Sequence, residues 1–335
     1  MPNSALPNSL GNQMKICRIA KICAWWLGLI FSVTPPSLAV ETSPKIAPLR
    51  PVLSPELNEI DELDRINNIN LALPGLIGES LPTQRILEEL AKADVVYLGE
   101  IHNSASDHAA QMEIIEDLHR RNPKIAIAME MFQRPYQEAI DEYLSGELTE
   151  SQLLEETEYE TRWGFPWEYY APILRYAKKN QLPVLAANTP REITKKVARN
   201  GLDSLTSQER QWIPPFQEIR TDNEGYRDLI REIYDQIHQG HGGSGNFDRF
   251  FLAQVLWDET MAEAIASFIA EKPDYQVVVL AGRGHIVYNY GIPSRVARRL
   301  KEEGFLQRTV FFSTETDFPS RNSQPAADFI WRYKE

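Results

Sequence analysis

Short apolar runs separated by helical patterns constrain this chain more than any other feature of its sequence. They fall at 94–99 (DVVYLG), 124–129 (KIAIAM), 182–187 (LPVLAA), 276–281 (QVVVLA) and 309–313 (TVFFS). Each is too short for a buried helix and most are rich in β-branched residues, so each is expected to be a strand. A strand that is apolar on both faces needs cover on both faces, which is the condition of a parallel sheet. The fold class is therefore α/β: a mainly parallel central sheet with helices on both faces and a helical insertion, about 202–246, before the last strands. Right-handed crossovers limit the topology without fixing the strand order.

The intervening pattern predicts helices over 104–121, 134–144, 150–158, 167–179, 247–271 and 293–303. Ser104 and Ser106 are N-cap candidates for the first, and Ala109, Met112, Ile115 and Leu118 its apolar side. A further helix is expected to begin at Pro190, capped by Thr189 and stopped by Gly201.

The N-terminal segment reads differently from the rest. Residues 1–39 hold Lys15, Arg18 and Lys21 and no carboxylate, and 22–33 is a mostly apolar run. That run is too short to span a bilayer, which takes about 20 residues. With Ser37 and Ala39 before the expected cut, 1–39 is a signal peptide, 40–60 a Pro-rich linker and 61–335 a single α/β domain with its core at about 91–313. The chain is thus expected to be exported, to the periplasm or another cell-envelope compartment. Cleavage also removes Cys17 and Cys23, so the mature chain has no disulfide and no lipid-anchor cysteine. The 335-residue chain has 35 Lys+Arg against 47 Asp+Glu, a net charge of −12; without residues 1–39 the balance is 32 against 47, or −15. Such a balance argues against nucleic acid as a partner, and an anionic ligand would need a local cluster of cations.

Polar residues collect where the runs end. Gly99-Glu100-Ile101-His102 follows the first, Glu130 the second, Asn188 the third and Gly282-Arg283-Gly284-His285 the fourth. In open parallel sheets ligands bind outside the carboxyl ends of the strands, so these groups are expected on one edge. Two imidazoles and two carboxylates there form a candidate site. His102 and His285 with Glu130 would suit a divalent transition metal such as Zn or Mn, with Glu100 activating water, in a metal-dependent hydrolase (peptidase or esterase). The same groups would equally suit a bound organic cofactor.

The segments VVYLGEIHNSASDH (95–108), AIAMEMF (126–132) and VVVLAGRGHIVYNYGIPSRV (277–296) resemble the ChaN-like haem-binding family, within the group that contains Tiki-type metalloproteases and erythromycin esterases. The resemblance implies a parallel α/β fold, haem or iron uptake or handling at the cell envelope, an envelope partner, and a homodimer enclosing cofactor. Glu100, His102, Glu130 and His285 match the superfamily's active-edge pattern. Haem ligation in the family is attributed to tyrosine, for which Tyr288, Tyr290, Tyr169 and Tyr170 are candidates here, with His102, His285, Arg191 and Arg283 as further cofactor contacts. On this reading the chain is a haem-binding protein; the metal-dependent hydrolase is the alternative.

Other features are less specific. The stretch 163–170 (WGFPWEYY) is either a wall for a flat ring system or a loop anchored in the core, and burial area favours the second. His108, six residues after His102, could face the site or the surface. His238 and His241 flank a glycine-rich turn and lack the helical i, i+4 spacing of a zinc motif.

Overall fold

The computed structural model describes residues 81–238, 246–301, 303–313, 321 and 324–333. The segments expected to be a signal peptide (1–39) and a Pro-rich linker (40–60), and residues 239–245 of the glycine-rich stretch, lie outside the described residues.

In chain order the elements are α1 (Thr83–Leu90), β1 (Val95–Glu100), α2 (Ala105–Arg121), β2 (Ile125–Gln133), α3 (Gln137–Ser145), α4 (Glu150–Glu156), α5 (Tyr159–Arg162), α6 (Ala171–Asn180), β3 (Val184–Asn188), α7 (Arg191–Asn200), α8 (Ser207–Arg210), α9 (Glu224–His238), α10 (Phe247–Glu271), β4 (Gln276–Gly282), α11 (Ile292–Leu300), β5 (Gln307–Phe312) and β6 (Phe329–Trp331). The six strands form one sheet in the order β3-β2-β4-β1-β5-β6. Every pairing is parallel. The α/β class with a covered parallel sheet is thus what the chain adopts.

Strand alternation sends side chains into two cores. Val95 and Tyr97 of β1 and Val277 and Val279 of β4 pack with α7, α9, α10 and α11. Val96, Leu98, Val278 and Leu280 pack on the other face with α1, α2, α3 and α6. Both faces of β1 are dry, which explains why its sequence shows no polar alternation.

Two local expectations need correction, and the tail adds a strand. The buried face of α2 is Asp107, His108, Ala110, Gln111, Ile114, Ile115 and Leu118, whereas Ala109 is exposed and Met112 only half-buried. Steps of three drift off a face that repeats every 3.6 residues. Thr189 does not cap α7: the N-cap position is Pro190, and the buried Thr189 hydroxyl has no hydrogen-bond partner. The tail supplies a sixth strand, in which Val310, Phe311 and Phe312 pair with Phe329, Ile330 and Trp331. Tyr333 beyond it donates a short hydrogen bond to Asp107.

Two features of the sheet position the site. β4 inserts between β1 and β2, so the carboxyl ends of three neighbouring strands carry Glu100, His285 and Glu130. The β2–β3 register also jumps, from Met129 opposite Ala186 to Gln133 opposite Asn188. Such a bulge re-aims side chains at a strand end, and Glu130 lies within it.

Candidate functional site

The end of β1 builds one polar cluster. Glu100 is fully buried, and its carboxylate accepts three side-chain donors. His102 Nδ1 donates to Oε1 at 2.8 Å, the Tyr170 hydroxyl to Oε1 at 2.6 Å, and Gln111 Nε2 to Oε2 at 2.7 Å. Burial opposes ionisation, but His102, His108 and the Tyr170 hydroxyl outweigh it and hold the carboxyl below its ordinary value. His102 is pushed the other way. Burial disfavours its charge, while Glu100 and Glu130 prevail and raise its pKa despite the nearby His285. The Trp163 and Phe165 rings flank the imidazole, with centroids at 4.7 and 5.0 Å. His108 is buried rather than exposed, its Nε2 donating to the His102 carbonyl at 3.0 Å while Tyr169 stacks on its ring at 4.8 Å.

The end of β4 builds a second cluster. His285 is fully buried, with Nδ1 donating to Asp258 Oδ1 at 2.6 Å and Nε2 3.3 Å from Glu130 Oε1. Glu130 Oε2 accepts the Gly282 N–H at 2.7 Å, and the Tyr226 hydroxyl donates to Asp258 Oδ2 at 2.8 Å. Burial opposes charge on both partners, yet each overcomes it for the other. His285 is raised to about 10 and Glu130 lowered to about 2. Gly291 is required here because a Cβ on it would fall 2.1 Å from the His285 carbonyl oxygen and 3.1 Å from Asp258 Oδ1.

Glu100, His102, Glu130 and His285 therefore lie in one connected region of electrostatics. The other sequence candidates divide. Tyr170 and Tyr169 join the β1 cluster through Glu100 and His108. Tyr288 and Tyr290 turn away from it. Their rings lie 5.5 Å apart, Tyr290 also faces Tyr226 at 6.3 Å, and both belong to the core beneath α9 and α10. Tyr288 sits at φ +55°, clamped from the tail, where its N–H donates to the Ala326 carbonyl and Gln324 Nε2 to its own carbonyl. Arg283 is buried, with Nη2 bonded to the Phe312 carbonyl and 3.6 Å from Asp107. Arg191 donates to the Thr161 carbonyl at 2.6 Å from the rim of the site. The 163–170 stretch splits as well: Trp167 and Tyr170 are buried anchors, while Trp163, Phe165 and Tyr169 are half-buried rings against the histidines.

Sequence reasoning missed Gln111, Asp258, Gln254 and Tyr226. A signal existed for the helical ones. Gln254 and Asp258 are polar residues four apart inside the apolar α10, and Asp107 and Gln111 repeat that spacing on α2. A shared helical face with buried polar groups requires partners, here the strand-end histidine and carboxylate.

A narrow pocket of about 20 Å³ opens beside Glu130, lined by Arg162, Trp163, Asn188, Arg191 and Trp257. It adjoins an open cleft of about 620 Å³ that shares Gln133 and Arg162 with it and is also lined by Tyr136 and Trp212. Among the described residues, no group of three or more His, Cys, Asp and Glu is arranged to hold a metal ion. His285 has a carboxylate facing each ring nitrogen, Asp258 at Nδ1 and Glu130 at Nε2. Among the described residues no helix is long and apolar enough to cross a membrane.

The chain is a parallel α/β protein with buried imidazole–carboxylate pairs at the carboxyl edge of its sheet, the edge where open sheets of this class bind ligands. The chain belongs to the haem-binding uptake family of the Tiki superfamily that includes ChaN, whose profile matches residues 86–296. It is similar to the Arabidopsis thaliana protein RETICULATA-RELATED 5, chloroplastic, at 27% identity over 278 residues, covering 78% of this chain and 36% of that protein. The chain thus spans about a third of the length of that curated relative. Its fold is similar to that of ChaN of Campylobacter jejuni, described with cofacial haem binding, with a TM-score of 0.57 at 20% identity over 75% of this chain and 92% of the other. An erythromycin esterase mutant in its open conformation also matches, with a TM-score of 0.42 at 16% identity over 73% of this chain and 77% of the other.

Proposed function

We propose that this protein binds haem along the carboxyl edge of its sheet, in the cleft beside Glu130, and serves haem or iron handling in a cell-envelope compartment. The observation that carries the reading is the combination, in a chain of this family, of an open cleft of about 620 Å³, lined by Tyr136, Trp212 and Arg162 with Glu192 and Glu209, and the small pocket that joins it to Glu130. Cofactor sites typically occupy about 300–1,000 Å³. The pocket of about 20 Å³ is too small for a macrocycle, so the ring would lie in the cleft and present one edge to Glu130 and Trp163. Tyr136 and Trp212 offer flat faces, and Arg162, whose guanidinium lies 5.1 Å from the Tyr136 ring centroid, offers a partner for a propionate.

Tyr136 is then the tyrosine of this cleft suited to ferric iron. Burial raises its pKa, Arg162 opposes that rise, and Glu158 and Glu192 add to it, so binding to iron would have to displace the phenolic proton. His102 and His285 would act from behind, setting the field at the cleft floor. An export signal at 1–39, a homodimer over the shared cofactor and an envelope partner complete the proposal; the plant relative's name places that protein in chloroplasts.

Haemin titration of the full chain, followed by the Soret band, tests this. The expected result is a saturable Soret shift that is lost or displaced in Tyr136→Phe. A band that does not shift sinks the haem reading. A second reading, hydrolysis without metal, is favoured by the 2.8 Å Glu100–His102 pair, which resembles a general base with its orienting carboxylate. Ester or peptide hydrolysis abolished in His102→Ala, with no Soret shift, would support it instead.

A further inference from the structure

A second site stands apart from the histidine clusters, on α11 and the segment before α9. A recess of about 350 Å³ is lined by Gln217, Glu218, Arg220, Arg298, Arg299 and Lys301, four cations against one carboxylate. It shares no residue with the pocket or the cleft beside Glu130. In a chain of net charge −12 this is a local concentration of positive charge, held in place by ion pairs to Glu259, Glu218 and Asp222.

The recess is organised from beneath by Glu259, which is fully buried on α10. Glu259 Oε2 accepts from Arg298 Nη2 at 2.6 Å and Arg299 Nη1 at 2.7 Å. Glu259 Oε1 accepts the Arg220 N–H at 3.1 Å and lies 3.3 Å from Arg295 Nε. One carboxylate thus holds three guanidinium groups, each by a single nitrogen rather than by the two-pronged fork that a lone Arg–carboxylate pair prefers. Arg298 Nη2 also donates to the Glu218 carbonyl at 2.8 Å and Arg299 Nη1 to the Arg295 carbonyl at 3.2 Å, so both guanidinium groups are fixed in place. The Arg299 side chain is 11% exposed, and its buried Nε and Nη2 make no hydrogen bond, although Nη2 is 3.3 Å from Glu218 Oε2. Arg220 reaches over the rim on its Asp222 contact at 2.5 Å, and Lys301, exposed and at φ +43°, closes the opposite end of α11.

The geometry points to a binding site for the phosphate or pyrophosphate group of a phosphorylated molecule, held by Arg298, Arg299, Arg220 and Lys301. Planar forks fixed by a buried carboxylate favour tetrahedral oxyanions with several oxygens. The volume lies within the usual range for small-ligand sites.

The test is isothermal titration of the full chain with sodium pyrophosphate at constant ionic strength, with potassium chloride and citrate as controls. Saturable binding is expected, weakened about tenfold or more in the double variant Arg220→Gln/Lys301→Gln, which removes two charged donors. Both residues are exposed, so this variant should melt like the parent without ligand; Arg298→Gln provides a second, independent loss. Co-sedimentation with phosphatidic acid vesicles separates a lipid headgroup from a soluble source. Absence of binding, equal binding by both variants, or equal binding of citrate or chloride would overturn the assignment.

Discussion

The ends of β1 and β4 use the same parts to opposite effect. Each presents a buried histidine, a carboxylate, a glutamine from a flanking helix and a tyrosine hydroxyl on that carboxylate: His102, Glu100, Gln111 and Tyr170 at β1, and His285, Asp258, Gln254 and Tyr226 at β4. At β1 the carboxylate carries three donors and the imidazole gives it Nδ1, while the Trp163 and Phe165 rings flank the imidazole. At β4 the imidazole lies between two carboxylates, Asp258 and Glu130, and is fixed as a cation. One arrangement gathers donors onto a single carboxylate at the end of one strand. The other sets an imidazole between carboxylates from β2 and α10, linking two strands and a helix. The number of carboxylates per histidine decides which.

Paired substitutions break this comparison most sharply. Gly291→Ala should destabilise by about 3 kcal/mol or more, because its Cβ would meet the backbone oxygen of His285 at 2.1 Å and the chain itself must move. Gly99→Ala, whose Cβ would meet the Phe311 ring at 2.7 Å, should cost less, since a ring can tilt where a backbone cannot. Urea denaturation of both variants measures the difference, and equal midpoints would show that the β4 cluster is not the rigid one. Asp258→Ala comes next, at about 3–5 kcal/mol, because it leaves a buried cation with half its compensation. Glu100→Gln should cost about 1–3 kcal/mol, since an amide still accepts from Tyr170 or Gln111. If Glu100→Gln proves the costlier, the roles of the two clusters are reversed.

Protonation sharpens the contrast further. His285 is raised from 6.5 to about 10, so its contribution to stability is complete below 6.5 and is lost as pH rises through about 10. Glu130 is lowered from 4.5 to about 2, so its contribution is complete above 4.5 and is lost as pH falls through about 2. These describe one ion pair from its two sides. Stability should therefore peak between 4.5 and 6.5 as far as this pair is concerned, and NMR titration of the ring protons should find His285 still charged well above neutrality. A His285 that titrates near its ordinary value would remove the structural role given to it. The smallest effect is expected from Trp163→Ala, about 0.5–1.5 kcal/mol from its half-buried ring contacts, with a weakened haemin response as the more sensitive readout.

Much of this was legible in the chain. The five apolar runs became β1 to β5, and the long helix predicted over 247–271 is α10, because burial on both faces and a helical period leave strong local marks. The sixth strand was not, since Phe329–Trp331 is a three-residue piece whose pairing with β5 carries no local signature. The site was half legible. Glu100, His102, Glu130 and His285 stand directly after apolar runs, where the strand-end rule finds them. Tyr288 and Tyr290 stand equally close to His285 in sequence, yet a left-handed kink at Tyr288 and Asn289 carries them under α9 instead. Neighbours in sequence share a site only if the backbone between them keeps its direction.

What the sequence determined by itself is therefore the set of groups and the edge they occupy. Parallel strands all end on the same side, so residues that follow them must share that edge whatever the strand order. Which of them meet was decided by the tertiary structure. β4 inserts between β1 and β2, bringing Gly282 to Glu130 across 152 positions of sequence, and packing of α10 brings Asp258 to His285. Strand order follows from how the two cores fill, a property of many distant side chains at once, and no local pattern contains it.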